Sequence, residues 1–321
     1  MHPQPANATL GFGAVLAVSR AASPRRHHLL FAANLTGIDI TIPDQPVWSD
    51  RQVAAFRAHN STITRGSALA WMGHLNALQW YPFLRSGLET AIILEDDVDW
   101  DIHLRTRQVP LVSENLQALL ASNSTYWSDL DRWEILYLGH CGDFFNSDKF
   151  DRTAHRIFAD DTMLPHDRLH GATPEFLSSL GLQDGERVIH RSQWPLCTFG
   201  YAVTRASAHR IVTDFAAREP EGGCQAFDVR LLEACRDQEW QCYTANPELF
   251  HHVMAPSEIA EVNEGITPGK AAKKLADTPN IACSARSDSF YTENAATLAY
   301  LQVEVGLKGH CLIDAMGKDA E

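Results

Sequence analysis

The stretch Ala91-Ile92-Ile93-Leu94-Glu95-Asp96-Asp97-Val98-Asp99 constrains the fold of this chain more than any other. A run of apolar, partly β-branched residues ends abruptly in three consecutive carboxylates. Such a run reads as a strand of a parallel sheet, buried on both faces by helices. Open α/β sheets bind ligands beyond the carboxyl ends of their strands, which is where these acidic residues fall. Alternation along an extended chain puts Glu95 and Asp97 on one face and Asp96 on the other. Carboxylates brought together repel unless a hard divalent cation sits between them. The stretch therefore points to a metal site, with a solvated acidic turn as the competing reading.

With 321 residues, 45% apolar and 21% charged, the chain has ample core for one large α/β domain or two smaller ones. A formal net charge of −13 argues against a general nucleic-acid binder or an anionic-membrane surface. No segment approaches the roughly 18 consecutive apolar residues of a membrane helix. The opening Met1-His2-Pro3-Gln4-Pro5 lacks the basic-then-apolar pattern of a signal peptide. Against a cytoplasmic location stand the sequons at Asn7, Asn34, Asn60 and Asn123, where chance predicts about one or two. They point to the ER or Golgi lumen, with a targeting segment outside this sequence; the cytoplasm is the alternative. Seven cysteines without a Cys-x-x-Cys pair exclude a zinc ribbon or a thioredoxin-type site. Their odd number leaves at least one free thiol if the others pair.

Taken in order, residues 11–19 read as a first strand, Pro24 as the opening turn of a helix, and residues 37–42 as a second strand. Arg25 and Arg26 lie where a strand end meets a helix N-terminus, a place suited to a nucleotide diphosphate or ribose. A helix is expected over 66–80, ended by Pro82, with His74 on it as a hydrogen-bonded structural histidine. A helix over 109–122 and a strand over 133–139 follow. From 146 to 193 the pattern weakens, as in a long insertion or lid bordering a site. A strand over 198–204 leads into a helix over 205–217, and Asp228 opens the next helix. The last strands fall at 242–244 and 249–253, and 265–278 is polar and reads as mobile.

The order of these pieces resembles glycosyltransferase family 25, the lipooligosaccharide and collagen galactosyltransferase group. The matching residues are Ser23-Pro24-Arg25-Arg26, Leu35-Thr36-Gly37-Ile38-Asp39, Gly66, His74 and Ile93-Leu94-Glu95-Asp96-Asp97, and then Leu136-Tyr137-Leu138-Gly139, Tyr201-Ala202-Val203-Thr204 and Asp228. The likeness runs over about 11–260 and is strongest to family-25-like proteins of fungi, in which Asn280-Ile281-Ala282-Cys283-Ser284-Ala285-Arg286 also has a counterpart. One departure is that the family often has Cys-x-x-Ser-His in the helix where this chain has Leu69-Ala70-Trp71-Met72-Gly73-His74.

The resemblance implies a GT-A-like α/β sandwich with a mainly parallel central sheet. It would span 11–260 with an insertion at 146–193, between an N-terminal tail (1–10) and a C-terminal extension (261–321). It implies a metal, Mn²⁺ or Mg²⁺, and a nucleotide-sugar donor, typically UDP-galactose, whose hexose passes with inversion to an acceptor hydroxyl. Glu95 and Asp97 would hold the cation, with His251 or His252 completing its shell. Arg25, Arg26, Asp96 and Arg286 would face the nucleotide. Asp228 would be the general base, its alternative role being a helix cap. The acceptor, whether protein, glycan or lipid, has no motif. Two other classes fit parts of the pattern. Asp97 and Asp99 could be nucleophile and acid of a haloacid-dehalogenase-type Mg²⁺ phosphatase, although Asp101 stands where Thr or Val is wanted. A non-catalytic sugar-binding relative is the other.

Overall fold

The computed structural model describes residues 4–253 and 278–313. All of the expected mobile stretch except Thr278, and residues 261–277 and 314–321 of the C-terminal extension, lie outside the described residues. The ten described strands are β1 (Ala14–Val18), β2 (Ile40–Thr41), β3 (Thr90–Glu95), β4 (Val98–Trp100), β5 (Ile135–Gly139), β6 (His155–Ala159), β7 (Glu186–Arg191), β8 (Gly200–Thr204), β9 (Cys242–Asn246) and β10 (Phe250–His252). All ten belong to one sheet, eight of them in the order β2-β1-β3-β8-β5-β9-β7-β6, with β10 pairing off this path with both β5 and β4. Strands β1, β2, β3, β5, β6, β9 and β10 run one way and β4, β7 and β8 the other. The protein is thus mixed α/β with a mainly parallel sheet.

Strand alternation sorts the core into two layers. Val15, Ala17, Ile92 and Leu94 face a layer built from Leu29, Ala32 and Ala33 of α1 (Arg25–Thr36), with Trp100 and Trp127. Ala14, Leu16, Ala91 and Ile93 face the opposite layer, built from Trp71, Leu75 and Leu78 of α3 (Arg65–Leu78) and Phe227 and Leu231 of the helix Phe227–Asp237. A short helix α2 (Asp50–Phe56), opened by a Ser49–Gln52 capping box, lies between α1 and α3. Pro82 does not simply end a helix. It sits in the first turn of α4 (Tyr81–Arg85), where its missing N–H costs nothing. Helices α5 (Val109–Leu119), α6 (Thr173–Ser179), α7 (Arg205–Arg210) and α8 (Phe227–Asp237) complete the set needed below.

Because β2 and β3 flank β1 on opposite sides, the chain reverses its direction of winding between β1 and β3. In open α/β sheets the crevice outside the strands' carboxyl ends at that point is where ligands bind. The register Val18↔Glu95 sets Ser19 and the acidic residues side by side there.

The 146–193 segment borders this edge through His170, whose charge acts on His251 and His252. It supplies β6 and β7, which extend the sheet beyond β9, and packs its own small core of Phe150, Leu164, Phe176, Leu177 and Val188. β6 is an edge strand with mostly exposed or half-exposed residues, so its sequence carries little apolar alternation. All seven cysteines are accounted for: Cys141–Cys197, Cys235–Cys242 and Cys283–Cys311 are bonded and Cys224 is a buried free thiol.

Gly139 closes β5 where β8 and β10 crowd it. A Cβ there would lie 2.7 Å from both the Gly200 nitrogen and the Phe250 Cβ. Both obstacles belong to the packed sheet and cannot swing away. Gly139→Ala is expected to destabilise the fold by about 1–3 kcal/mol, seen as a lower urea midpoint at unchanged m-value.

Candidate functional site

The acidic residues continue the alternation of β3 and then leave it. Glu95 has the parity of Ala91 and Ile93 and turns toward the α3 and α8 layer. Asp96 has the parity of Ile92 and Leu94 and turns toward α1. β3 ends at Glu95, and Asp96-Asp97 form a turn into β4, so alternation no longer governs Asp97. The expectation that Glu95 and Asp97 simply share a face is corrected accordingly: the turn carries Asp97 onto Arg25, whose Nη1 donates to its Oδ2 at 3.0 Å.

On the α1 side, the Ser19 hydroxyl donates to Asp96 Oδ2 at 2.5 Å, and Arg25 Nη1 lies 3.6 Å from Asp96 Oδ1. Arg26 donates from Nε to Ser19 Oγ at 3.0 Å and from Nη2 to the Ser19 carbonyl at 2.5 Å. Two arginines in the first turn of a helix oppose its dipole, so anions beside them are favoured. Asp96 and Asp97 partly meet that demand for Arg25.

On the other side, Thr198 Oγ1 donates to Glu95 Oε1 at 2.8 Å, and His74 Nε2 lies 3.7 Å from the same oxygen. Thr198 reaches Glu95 because β8 runs against β3, with Leu94 opposite Gly200. His74 is buried as expected of a structural histidine, stacked on Phe227 at 4.8 Å and 3.3 Å from the Tyr201 hydroxyl. Burial drives its pKa down to about 3, so it is neutral. It forms a layer directly behind Glu95.

Asp228 is the second residue of α8, and Ala226 holds the cap position, so the helix-cap reading fails. Its carboxylate accepts from Val229 N at 2.9 Å and from Cys197 N at 3.1 Å. Cys197 is tied by its disulfide to Cys141, just beyond β5. Asp228 lies near enough to Glu95 for its charge to disfavour ionisation there.

His251 and His252 stack at 4.6 Å and separate in role. His251 is buried, with Nδ1 against the His252 carbonyl at 3.0 Å and Nε2 3.7 Å from Glu248 Oε1. His252 interacts electrostatically with Asp97, and burial holds its pKa below the usual imidazole range. Among the described residues, His252 Nδ1 and Asp97 Oδ1 are both buried without a hydrogen-bond partner. A neutral imidazole nitrogen and a carboxylate oxygen are a fitting donor pair for Mn²⁺ or Mg²⁺. No group of three or more His, Cys, Asp or Glu side chains that could cage an ion occurs among the described residues. An ion here fits only the sparse kind of site, in which substrate oxygens and water supply most of the ligands.

Arg286 does not face open space. It is 9% exposed, and its Nη1 donates to the carbonyls of Asp96 at 2.9 Å and Val98 at 2.7 Å. Asp99 is fully buried, accepting from Trp100 N, Arg286 N and the hydroxyls of Thr278 and Ser284. With both oxygens engaged, Asp99 cannot serve as an acid, which removes the phosphatase reading.

No protein-family model and no curated protein matches the chain. Solved structures similar to it include a glycosyltransferase involved in glycosylation of the major capsid of PBCV-1, at 8% identity over 78% of this chain and 98% of that one, with TM-score 0.33. Another is the inositol-1-phosphate CTP transferase from T. maritima, at 10% identity over 79% of this chain and 77% of that one, with TM-score 0.26. Likenesses this loose carry no weight for the chemistry, which is read from the side chains.

Glu95 retains 32% side-chain exposure, yet burial first and the Asp97 charge second push its pKa up to about 8. Between its ordinary value near 4.5 and that raised one, the folded state holds more protons than the unfolded state. Stability therefore falls as pH rises through this window. Glu95→Gln is expected to flatten the decline between about pH 5 and pH 8, measured by chemical denaturation at several pH values.

Proposed function

We propose that this chain is a GT-A-like, family-25-like glycosyltransferase that moves a hexose, galactose by resemblance, from a UDP-sugar to an acceptor hydroxyl with inversion. The observation that carries the reading is the division of labour at the acidic turn. Asp97 and His252 present open donor atoms on one side of it. Glu95 and Asp228 share the other side, beside the neutral His74.

Asp97 and His252 would hold Mn²⁺ or Mg²⁺, whose chemistry when bound is to neutralise the departing diphosphate. Arg25, at the positive end of α1, adds charge on the nucleotide side, and Arg26 stiffens the Ser19 corner through its two bonds there. Asp228, fixed by two backbone N–H groups, takes the proton of the acceptor hydroxyl. The acceptor oxygen then bonds to the anomeric carbon as the bond from that carbon to the diphosphate breaks, and UDP leaves. Glu95, held by Thr198, borders the same space.

Residence in the secretory lumen belongs to the same proposal. Asn7, Asn34, Asn60 and Asn123 are all exposed, and three disulfides suit an oxidising compartment.

The test is UDP release from a panel of UDP-sugars, with Mn²⁺ and with EDTA. Metal-dependent release from one donor, abolished in Asp97→Asn, is the expected result and names the sugar. UDP binding without turnover across donors and acceptors would point to the non-catalytic relative. No Mn²⁺-dependent UDP binding at all would sink the reading. Asp228→Asn is expected to bind Mn²⁺–UDP normally and to lose about 10²–10⁴ in kcat for transfer, compared by calorimetry and steady-state kinetics.

A further inference from the structure

The acidic turn is held from below by a segment that is almost 200 residues away in sequence. We infer that Arg286, carried on the strap 278–286, is a positioning residue that holds Asp97 in its ligand-receiving orientation. The inference rests on the transferase reading above for the identity of the ligand, and on the geometry alone for the role of Arg286.

Three successive carbonyls of the turn are tied down. Arg286 Nη1 bonds those of Asp96 and Val98, and Val253 N bonds that of Asp97 at 2.7 Å. Arg286 Nη2 also reaches the carbonyl of Arg25 at 3.4 Å, so one guanidinium fixes both the turn and the residue that pairs with Asp97. The planar fork makes this possible; a lysine ammonium has no such spread of donors.

The strap is itself anchored along β4 and the residues after it. Ala285 N donates to the Trp100 carbonyl at 2.9 Å, and Ile102 N to the Cys283 carbonyl at 3.0 Å. Asp99 collects the Thr278 and Ser284 hydroxyls and Arg286 N, which sets the base of the arginine side chain. The Cys283–Cys311 disulfide ties the strap, three residues before Arg286, to the segment that follows it. Arg286 is almost wholly buried and spends its donors on backbone carbonyls, so its influence on a ligand passes through Asp97 and Arg25.

The experiment compares wild type with Arg286→Lys and Arg286→Ala by amide hydrogen exchange, by thermal unfolding, and by calorimetric titration with Mn²⁺ and UDP. Expected is faster exchange at Asp97 and Val98 with the distant sheet unchanged. Mn²⁺–UDP affinity should fall about 10- to 100-fold, the usual loss when a ligand's outer support is removed. Added free guanidinium should restore part of that affinity in Arg286→Ala. Unchanged exchange at the turn in both variants would overturn the inference. So would faster exchange at the turn with unchanged Mn²⁺–UDP affinity, or loosening spread evenly over the whole chain in both variants. Wild-type protein that binds neither Mn²⁺ nor UDP would sink the transferase reading instead. The exchange comparison would still decide whether Arg286 holds the turn.

Discussion

Three carboxylates in succession at the end of a buried strand repel one another, and much of the surrounding structure disposes of that repulsion. A partly buried anion needs a partner or a proton. Glu95 is sent to one layer, where Thr198 bonds it and burial and the Asp97 charge favour its protonated form. Asp96 is sent to the other layer and to Ser19. Asp97 is lifted out of the strand by the turn and given Arg25. Asp99, one step further, is driven fully inside and surrounded by donors. Four neighbouring acids thus acquire four environments, and the differences between them are what make the edge chemically useful.

The parts that were legible in the sequence are those encoded locally. The apolar run of 91–94 needs two covered faces, and Pro24 opens α1 as expected, whereas Gly37, read as the start of a strand, is the left-handed cap of α1 and the strand is only Ile40–Thr41. His74 is buried on α3, as expected of a structural histidine. Strand direction is a different matter. Nothing in Gly200–Thr204 distinguishes a parallel from an antiparallel neighbour, yet the reversal of β8 alone brings Thr198 to Glu95. Arg286 was read as a diphosphate ligand because an arginine's charge is visible in sequence and its carbonyl partners are not. The choice between His251 and His252 likewise depends on which ring nitrogen a backbone carbonyl claims.

The 146–193 segment shows how an edge strand hides. Periodicity is strong only where one face is dry and the other wet, and β6 is wet on most of its length. The small core beneath it, around Phe176 and Leu177, comes from residues scattered among prolines and glycines. Disulfide pairing was equally closed to inspection, since seven cysteines without paired spacing permit many connectivities. The link that matters most here, Cys141–Cys197, joins two loops that only the finished sheet brings together.

The strap also sets a timetable. Ser19 and Arg25 are made before the acidic turn, Asp228 and His252 well after it, and Arg286 last of these. A nascent chain can build most of the sheet while the turn still lacks its last two carbonyl bonds, because contacts of such long sequence separation come late. Until residues 278–286 have been made, the turn lacks the Arg286 bonds that fix the carbonyls of Asp96 and Val98. Competence at this edge would then wait for the strap, after the strands it serves have been made.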